Sequence, residues 1–583
     1  MFGFKKILIV GAIGALLVGR AFAGLGPENV ALVVNGDSLN SLGVANEYVR
    51  LRDIPAGNVV FLHHLSSTES IGVEEFREKI LLPVLEAIRT RGLSDQIDCI
   101  TYSVDLPYSI DVKGDVKGRP MPQILTQTAS INGLTYLADW VAKGDIDYLN
   151  LNVNRYARRL LPIPQGWDLT AQEQSDYAVA MSQYDHHDYP HAIGGLSKLL
   201  LVPRTDSNIA YNLACCEALS GKADEAVRWL RKAISAGWRN YGQTSSDPDL
   251  SSLKENEGFQ QILRMLEAAH IEVQPAVGFR HKTGWNRSGE PDEAGPHYML
   301  STVLGVTTGR GNTVDEVIAG LRRSRAADFS RPKGTIYFER NGDVRSKTRE
   351  WGFQPAAQAL ENLGIKAVVE EGILPQNRPA VAGAMIGAAD FDWSKSQSTL
   401  LPGAIAEHLT SFGGMIQKGA GQTPCTEFIR NGASGTSGTV TEPFALQEKF
   451  PTPFIQVQYA SGYTLAESFY LSLSGPYQLL VIGDPLCRPW AKRVEVRVKG
   501  IAEGSSISGR VAVLPSVSAA VSIRRYTLYV DGKRVAAGKP GAPLILDGRS
   551  QPGGRHEVSV VAETADPTAS LYRTAFFVEV SGK

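Results

Sequence analysis

Cysteine is scarce in this chain, with 5 among 583 residues. The odd count excludes a fully paired disulfide framework, and the absence of a C-x-x-C pair excludes the usual cysteine-based zinc sites. Cys215 and Cys216 are adjacent in a helical segment, and Cys99 lies in an apolar run typical of a strand. At most one disulfide, between Cys425 and Cys487, remains a candidate.

An excess of charge of either sign is also missing, since the formal net charge is −1. A near-neutral chain has no general electrostatic attraction to nucleic acid or to anionic membranes. The sequence contains no phosphate loop of P-loop spacing, no dinucleotide fingerprint, no base-reading element and no G-x-S-x-G serine elbow. We therefore predict no nucleic-acid partner and no cofactor, and we recognise no metal-binding motif.

A signal-like segment opens the chain. Lys5 and Lys6 precede an apolar core, Ile7–Gly19, and Ala21-Phe22-Ala23 forms a small-x-small cleavage site. The core is too short to span a bilayer comfortably. We predict that residues 1–23 are a signal peptide, that the mature protein is periplasmic or extracellular, and that no membrane span remains after cleavage. A retained anchor is the alternative, because Arg20 lies between the core and the cleavage site.

The remaining composition, 43% hydrophobic and 20% charged, is that of a globular protein of several domains. From residue 24, short β-branched runs such as Asn29–Asn35 and Ile97–Val104 alternate with helical segments such as Val73–Arg89. The alternation resumes between Tyr298 and Gly387. It predicts an α/β fold with a mostly parallel sheet and helices on both faces, formed jointly by residues 24–167 and 272–491.

The first predicted strand is followed by Gly36-Asp37-Ser38-Leu39, which resembles the opening block of the GDSL hydrolases, where the serine is a nucleophile. That resemblance implies a G-x-N-D block and, after it, a D-x-x-H motif that carries the base. Asp188-Tyr189-Pro190-His191 matches D-x-x-H, but no G-x-N-D block lies between the two motifs. We therefore predict that Ser38 is the N-cap of a helix extending through Tyr48.

Helical segments interrupt the α/β pattern at residues 168–271. Ala192 and Ala226 are 34 residues apart, and Leu196 and Leu230 have the same offset, so we predict an internal helical repeat. The second unit resembles a tetratricopeptide repeat, which implies a concave surface for a protein or peptide partner. A purely structural insert is the alternative. The matching small and apolar positions are Leu213, Ala214, Gly221, Ala226, Leu230 and Ala233.

The C-terminal residues, 492–583, change to segments of period two without helices. Asp531-Gly532 is a hairpin signal between Tyr526–Val530 and Lys533–Ala537. Short alternating strands over about ninety residues predict an all-β, immunoglobulin-like sandwich.

A glycine-rich stretch, Gly432–Gly438, follows the helix-like run Cys425–Arg430. Glycine lets the backbone turn tightly and present free N–H groups, so the stretch is either a ligand cradle or a close-packed corner before Thr439–Thr441. Ser434 within it is a candidate nucleophile. The acid that we would mutate first is Glu442, beside Pro443.

Several stretches of the α/β region resemble an uncharacterised family of exported bacterial proteins. The resemblance covers most of residues 25–165 and 275–490 and implies no established activity. The matching stretches are Val33–Asn35 with Ser38 and Ser41, Arg52–Pro55, Asn58-Val59, Leu401–Phe412, Gly432–Pro443, Gly462–Glu467 and Gly483–Leu486.

The last third also resembles, more distantly, the gingipain-type cysteine peptidases of the caspase-like fold, which likewise close with a strand ending in G-D-P. That resemblance implies a histidine after one strand and a cysteine after the next, because the imidazole must ionise the thiol. Here Ala380–Gly387 leads into Ala388-Ala389-Asp390, and Gly403–Ser411 contains no cysteine. His408 and Cys425 are the remaining candidates for a displaced dyad. Because His408 lies in an apolar-rich run, a structural, hydrogen-bonded histidine is the alternative.

Our leading prediction is an exported, peptidase-like but non-catalytic protein that acts in protein binding or assembly. The alternative is a peptide hydrolase that uses Cys425 or Ser434 with His408. A metal- or carbohydrate-binding envelope module is a third class, suggested by the sandwich and by scattered acids. Of these acids, Asp484 is expected to cap a turn.

Overall fold

The computed structural model describes residues 24–119, 121–158, 171–200, 207–267, 276–286, 289–518 and 520–581. The predicted signal peptide, residues 1–23, lies outside these ranges. Within them, no helix combines the length and the apolar character needed to cross a bilayer.

The first α/β part contains short strands and helices in alternation. A π-helical turn, Arg77–Leu81, joins α2 to α3. The elements are β1 (Val30–Asn35), α1 (Leu39–Arg52), β2 (Val59–Leu62), β3 (Ser70–Gly72), α2 (Val73–Phe76), α3 (Leu82–Thr90), β4 (Cys99–Tyr102), β5 (Ser109–Asp111), α4 (Lys113–Val116), β6 (Thr128–Ser130), α5 (Ile131–Tyr136) and α6 (Ala138–Val141).

Six helices follow and enclose hydrophobic clusters of their own. One cluster centres on Ala214, Leu230 and Phe259, and the other on Leu196 and Leu213. The helical segments predicted between residues 168 and 271 are therefore present within the described residues 171–200 and 207–267. The helices are α7 (Ala171–Asp185), α8 (Tyr189–Leu199), α9 (Ser207–Leu219), α10 (Ala223–Ser235), α11 (Tyr241–Ser246) and α12 (Glu257–Glu267).

The second α/β part supplies most of the central sheet. Its elements are β7 (Leu300–Val303), α13 (Val314–Ala327), β8 (Thr335–Arg340), α14 (Val344–Glu350), α15 (Phe353–Asn362), β9 (Lys366–Glu371), β10 (Val381–Gly387), β11 (Leu400–Leu409), α16 (Thr426–Arg430), β12 (Gly435–Thr439), α17 (Ile455–Ala460), α18 (Leu465–Leu471) and β13 (Leu479–Gly483).

Strands from both parts form one ten-stranded sheet, in the order β2-β1-β4-β7-β13-β12-β11-β10-β8-β9. Every neighbouring pair is parallel except β12 and β13, which are antiparallel. The prediction of a single, mostly parallel sheet is therefore confirmed. All residues of β1, β4, β7, β10, β12 and β13 are buried, so both faces of the sheet are covered.

The antiparallel pair divides the sheet into two blocks of opposite direction. We call β2-β1-β4-β7-β13 the first half-sheet and β9-β8-β10-β11-β12 the second half-sheet. If each block is numbered by its own strands along the chain, both have the order 2-1-3-4-5. Because the blocks run in opposite directions, the carboxyl ends of their strands lie at opposite edges of the sheet.

Two small features were not anticipated by the sequence. A three-stranded sheet, β3-β5-β6, accompanies the first half-sheet. The glycine-rich stretch is itself the strand β12, so the predicted strand or turn at Thr439–Thr441 begins four residues too late. The predicted close packing is present, although in a strand rather than a corner, because a Cβ on Gly435 would lie 2.3 Å from Leu465 Cδ1.

The C-terminal part is rich in strands. A three-stranded sheet, β14-β16-β19, and a five-stranded sheet, β15-β21-β20-β17-β18, enclose a separate hydrophobic core around Val513, Leu528 and Val560. Asp531 and Gly532 have positive φ in the predicted hairpin turn. The strands are β14 (Val496–Lys499), β15 (Ser505–Ile507), β16 (Arg510–Val517), β17 (Ile523–Val530), β18 (Lys533–Gly538), β19 (Leu544–Asp547), β20 (Gly554–Thr564) and β21 (Leu571–Val580).

A buried ionic network joins the two α/β parts. Arg52, at the end of α1, donates from Nε to Asp484 Oδ2 at 2.6 Å and also pairs with Asp328. Tyr48 donates its hydroxyl to Asp484 Oδ1 at 3.0 Å. Asp484 also accepts from the N–H of Leu486, so the predicted turn cap is confirmed. The network therefore fixes α1 against residues that follow α13 and β13.

Candidate functional site

His408 lies near the carboxyl end of β11 and is fully buried. Its Nε2 is 3.2 Å from the carbonyl oxygen of Thr423, so Nε2–H donates, while Nδ1 has no hydrogen-bond partner in the described part of the chain. The imidazole packs against the edges of Phe391 and Phe428, with ring centroids 5.2 and 5.5 Å away. Burial lowers the pKa of His408 to about 3, so the ring is neutral at physiological pH.

Cys425 immediately precedes α16 and is also fully buried. Its N–H donates to the carbonyl oxygen of Gly413 at 2.8 Å. Burial raises the pKa of the Cys425 thiol well above its usual value, and the charge of Glu407 acts in the same direction. The thiolate is the nucleophilic form, so this environment opposes nucleophilic chemistry.

No hydrogen bond between the His408 ring and the Cys425 thiol occurs among the described residues; the ring is bonded to Thr423 instead. Gly413 lies beside both residues. Its carbonyl oxygen accepts from the N–H of Cys425, and a Cβ at this glycine would lie 3.2 Å from His408 Cε1. All five cysteines are unbridged and buried, so the candidate disulfide between Cys425 and Cys487 is absent.

Ser434 is the residue before β12 and is buried. Its hydroxyl oxygen accepts from the N–H of Gly403 at 2.9 Å, and its own N–H donates to the carbonyl oxygen of Ala404 at 2.8 Å. Ser434 therefore links the start of β12 to the first half of β11. Neither partner is a base that could accept the hydroxyl proton of a nucleophile.

Glu442 lies on the loop after β12 and is half-buried. Its Oε1 accepts from the N–H of Phe444 at 2.8 Å, where Phe444 and Ala445 both have positive φ. Glu442 therefore holds a tight turn. His408, Cys425, Ser434 and Glu442 thus share no hydrogen-bond partner among the described residues, and the first three are buried rather than exposed in a cleft.

A buried ion pair, formed by Arg349 and Glu407, was not identified from the sequence. Glu407 lies on β11, Arg349 lies on α14, and both side chains are fully buried, with Arg349 Nη1 3.9 Å from Glu407 Oε2. Burial raises the pKa of Glu407 to about 7, although the Arg349 charge opposes this shift. Arg349 Nη2 also donates to the carbonyl oxygen of Ile386, the penultimate residue of β10. The carboxyl edge of the second half-sheet therefore contains charge that solvent does not reach.

The carboxyl edge of the first half-sheet is polar and open by comparison. Ligands of open α/β sheets bind at the carboxyl ends of the strands, at the point where the strand order reverses. In the first half-sheet this point lies between β1 and β4. Ser38 is the predicted N-cap of α1, accepts from Ser41 N–H and donates to Asp105 Oδ2 at 2.6 Å. Thr307, beyond β7, also donates to Asp105. Loops after three strands therefore meet at Asp105.

Beside this group, Asp37 and His63 form a carboxylate–imidazole pair. Asp37 Oδ1 is 2.8 Å from His63 Nδ1, and Asp37 Oδ2 accepts from the N–H of His64 at 2.7 Å. Both hydrogen bonds lower the pKa of the Asp37 carboxyl, and the one from His63 has the larger effect. The sequence feature that could have identified this pair is a polar residue shortly after each of two neighbouring strands. Asp37 follows β1, and His63 follows β2.

Another cluster of metal-ligand type lies between α9 and the turn before α12. The ligand atoms of Cys215, Asp247 and Asp249 all lie within 4.8 Å of one another. The carboxylates already accept hydrogen bonds from Tyr211 and Tyr184, respectively, and burial raises the pKa of the Cys215 thiol. These interactions satisfy the cluster without an ion.

No protein-family model matches this chain. It is 22% identical over 120 residues to a chloroplastic protein of Arabidopsis thaliana, an alignment that covers 20% of this chain and 36% of that protein. The chain therefore spans about a third of the length of this curated relative.

Solved structures also show partial similarity. A fibronectin(III)-like module of CbhA from Clostridium thermocellum is 12% identical, with a TM-score of 0.14 and coverage of 15% of this chain and 96% of the module. The PKD domain of human SorCS2 is 24% identical, with a TM-score of 0.13 and coverage of 16% and 74%. The spore cortex lytic enzyme SleM of Clostridium perfringens is 9% identical, with a TM-score of 0.12 and coverage of 39% and 84%.

Proposed function

We propose that this chain is an exported protein that acts in protein binding or assembly and that its α/β region does not use a cysteine or serine nucleophile. The observation that supports this proposal most strongly is the enclosure of His408 and Cys425. Each is fully buried, the imidazole donates to a backbone carbonyl, and the thiol has a raised pKa. A cysteine peptidase requires the reverse, namely an accessible thiol whose proton the imidazole receives.

We also assign the α/β region to the caspase-like class, with the gingipain-type peptidases as distant relatives. The G-D-P segment that begins at the last residue of β13 supports this assignment, and the strand order 2-1-3-4-5 of both half-sheets is one that doubly wound α/β folds share. The export proposal rests on the sequence of residues 1–23. The assignment of the C-terminal part to the immunoglobulin-like class rests on its two antiparallel-rich sheets with a shared core.

The surface that we assign to a partner lies on α7 and α9. These helices are the first members of successive hairpins, and Asn212 of α9 links them by donating to the Tyr177 hydroxyl of α7 at 3.1 Å. Helices stacked in this way form the elongated surfaces with which tetratricopeptide-like arrays bind peptides. An extended peptide or a partner helix is therefore the proposed ligand.

Thiol chemistry tests the non-catalytic part of the proposal. Because all five cysteines are buried and unbridged, we expect iodoacetamide to modify the native protein negligibly and all five thiols to react in guanidinium. Mass spectrometry of the alkylated protein measures both states. If Cys425 is alkylated rapidly in the native protein, and if both alkylation and Cys425→Ala abolish cleavage of a peptide library, the hydrolase alternative is correct.

Peptide selection tests the binding surface directly. A displayed peptide library is panned on the full chain, and the affinity of the selected consensus peptide is measured by fluorescence anisotropy. We expect Asn212→Ala to weaken binding, while Glu255→Ala, an exposed change on the turn before α12, leaves it unchanged. Selection of no consensus, or equal effects of the two substitutions, would contradict the assignment of this surface.

A further inference from the structure

The carboxyl ends of β1 and β2 place three side chains of ligand type together. The two strands are parallel, and their last residues, Asn35 and Leu62, are paired in register. The chain then continues as Gly36-Asp37 on one strand and His63-His64 on the other. One carboxylate and two imidazoles therefore extend from the same edge of the sheet.

The Asp37 carboxylate is the centre of this group. Its Oδ1 is 2.8 Å from His63 Nδ1, and its Oδ2 is 3.8 Å from His64 Nδ1. Because Oδ2 also accepts from the N–H of His64, the carboxylate is held against the loop that bears both imidazoles. His63 Nδ1 is therefore already hydrogen-bonded to one oxygen of the carboxylate, whereas His64 Nδ1 lies beyond hydrogen-bond distance of the other.

The neighbouring backbone fits the His63 ring closely. A Cβ at Gly36 would lie only 2.2 Å from His63 Cε1, so the ring lies directly over this glycine. Glycine is required here for the close approach of the ring rather than for a special φ. The ring is consequently positioned by Gly36 below it and by Asp37 at Nδ1.

The group is open to solvent. The side chains of Asp37 and His63 are 46% and 51% exposed, and that of His64 is 94% exposed. Asp37 and His63 are therefore fixed but reachable, while His64 is free to rotate. This differs from the Cys215, Asp247 and Asp249 cluster, whose thiol is buried and whose carboxylates are only partly exposed.

We propose that Asp37, His63 and His64 form a binding site for a divalent transition metal ion such as zinc. The ligands are a carboxylate oxygen of Asp37 and the Nδ1 atoms of both histidines. On binding, Asp37 and His63 separate slightly from their 2.8 Å contact, and His63 carries its proton on Nε2 instead of Nδ1. Rotation of the His64 side chain brings its Nδ1 into the site. Two imidazoles and one carboxylate are a ligand set that suits zinc and its neighbours, and water fills the remaining positions.

The experiment uses the full chain without a histidine tag. Co²⁺ is titrated and followed by its visible absorption, and Zn²⁺ competition then gives the zinc affinity. We expect one ion per chain and a loss of about tenfold or more in affinity for each of His63→Ala, His64→Ala and Asp37→Asn, the scale on which changes near a metal act. Thermal denaturation of each variant without metal checks that it is folded.

The chain offers a matched control in Asp188 and His191. They form another exposed carboxylate–imidazole pair, with Asp188 Oδ2 2.8 Å from His191 Nδ1. We expect His191→Ala to leave the metal titration unchanged. The proposal fails if wild-type protein binds no Co²⁺, if His63→Ala and His64→Ala bind it as the wild type does, or if His191→Ala removes the binding.

Discussion

Asp37 and His63, at the carboxyl edge of the first half-sheet, are about half exposed, whereas Arg349 and Glu407, at the corresponding edge of the second, are fully enclosed. The two half-sheets have the same strand order, so topology alone does not cause this difference. The cause is what covers each edge. Helix α14 places Arg349 over the ends of β10 and β11, while the loops after β1 and β2 leave their side chains in solvent. One sheet order therefore supports both a sealed edge and an accessible one.

The largest expected effect comes from the network that joins the two parts. Arg52→Leu leaves the buried carboxylate of Asp484 without its cation and leaves Asp328 with only Arg325, at 3.5 Å, so we expect the free energy of unfolding to fall by about 3–5 kcal/mol. Urea unfolding followed by circular dichroism measures the change. The control is Arg50→Leu, which removes an exposed pair with Glu47 and is expected to cost about 1 kcal/mol or less. Equal losses would show that the network does not hold the halves together.

Adding a methyl group to each edge is expected to have unequal effects. In Gly387→Ala, the new Cβ would lie 2.3 Å from the backbone nitrogen of Ser346, which cannot move alone, so we expect a loss of about 1–3 kcal/mol or more. In Gly36→Ala, the Cβ meets the half-exposed ring of His63, which can swing away. Urea unfolding is expected to show little change for this variant, and a large loss there would mean that the first edge is as rigid as the second.

The last expected effect is a change in the pH dependence of stability. The folded pKa of Glu407, raised by burial to about 7, lies above the value near 4.5 of an unfolded glutamate. The native state therefore binds more protons than the unfolded state between these values, and stability falls as pH rises through them, by up to about 1.4 kcal/mol per pH unit.

We expect Glu407→Gln to remove this slope, as measured by chemical denaturation between pH values of about 4 and 8, which bracket the two pKa values. Glu361→Gln, which changes an exposed carboxyl on α15, should retain the profile of the wild type. If the profile of Glu407→Gln still falls with pH as the wild-type profile does, the enclosed carboxyl is not the group that titrates.

Much of the fold was predictable because it depends on local pattern. The strand Val381–Gly387 and the helix Val314–Ala327 follow from apolar periodicity, and Ser38 was predicted as an N-cap. The reversal of direction between β12 and β13 was not predictable in this way. Strand direction depends on the path of the chain between elements, which periodicity does not record.

The candidate sites show the same limit. A structural role for His408 was the alternative to a catalytic one because its surroundings in the sequence are apolar, and the residue is buried. The pairs Asp37–His63 and Arg349–Glu407 join residues 26 and 58 positions apart, on neighbouring elements. Recognising them requires the strand order and register, which become known only from the structure.

The position of β13 in the chain has a consequence for biosynthesis. This strand completes the first half-sheet beside β7, yet it leaves the ribosome after all five strands of the second half-sheet. Strands β8–β12 have therefore all been synthesised while β7, which can pair with β4 on one side, still lacks β13 on the other side and presents unpaired amide and carbonyl groups there. The second half-sheet thus has all its strands before the first half-sheet does, although most strands of the first are made earlier. The nascent chain is most prone to misassociate between the emergence of β7 and that of β13.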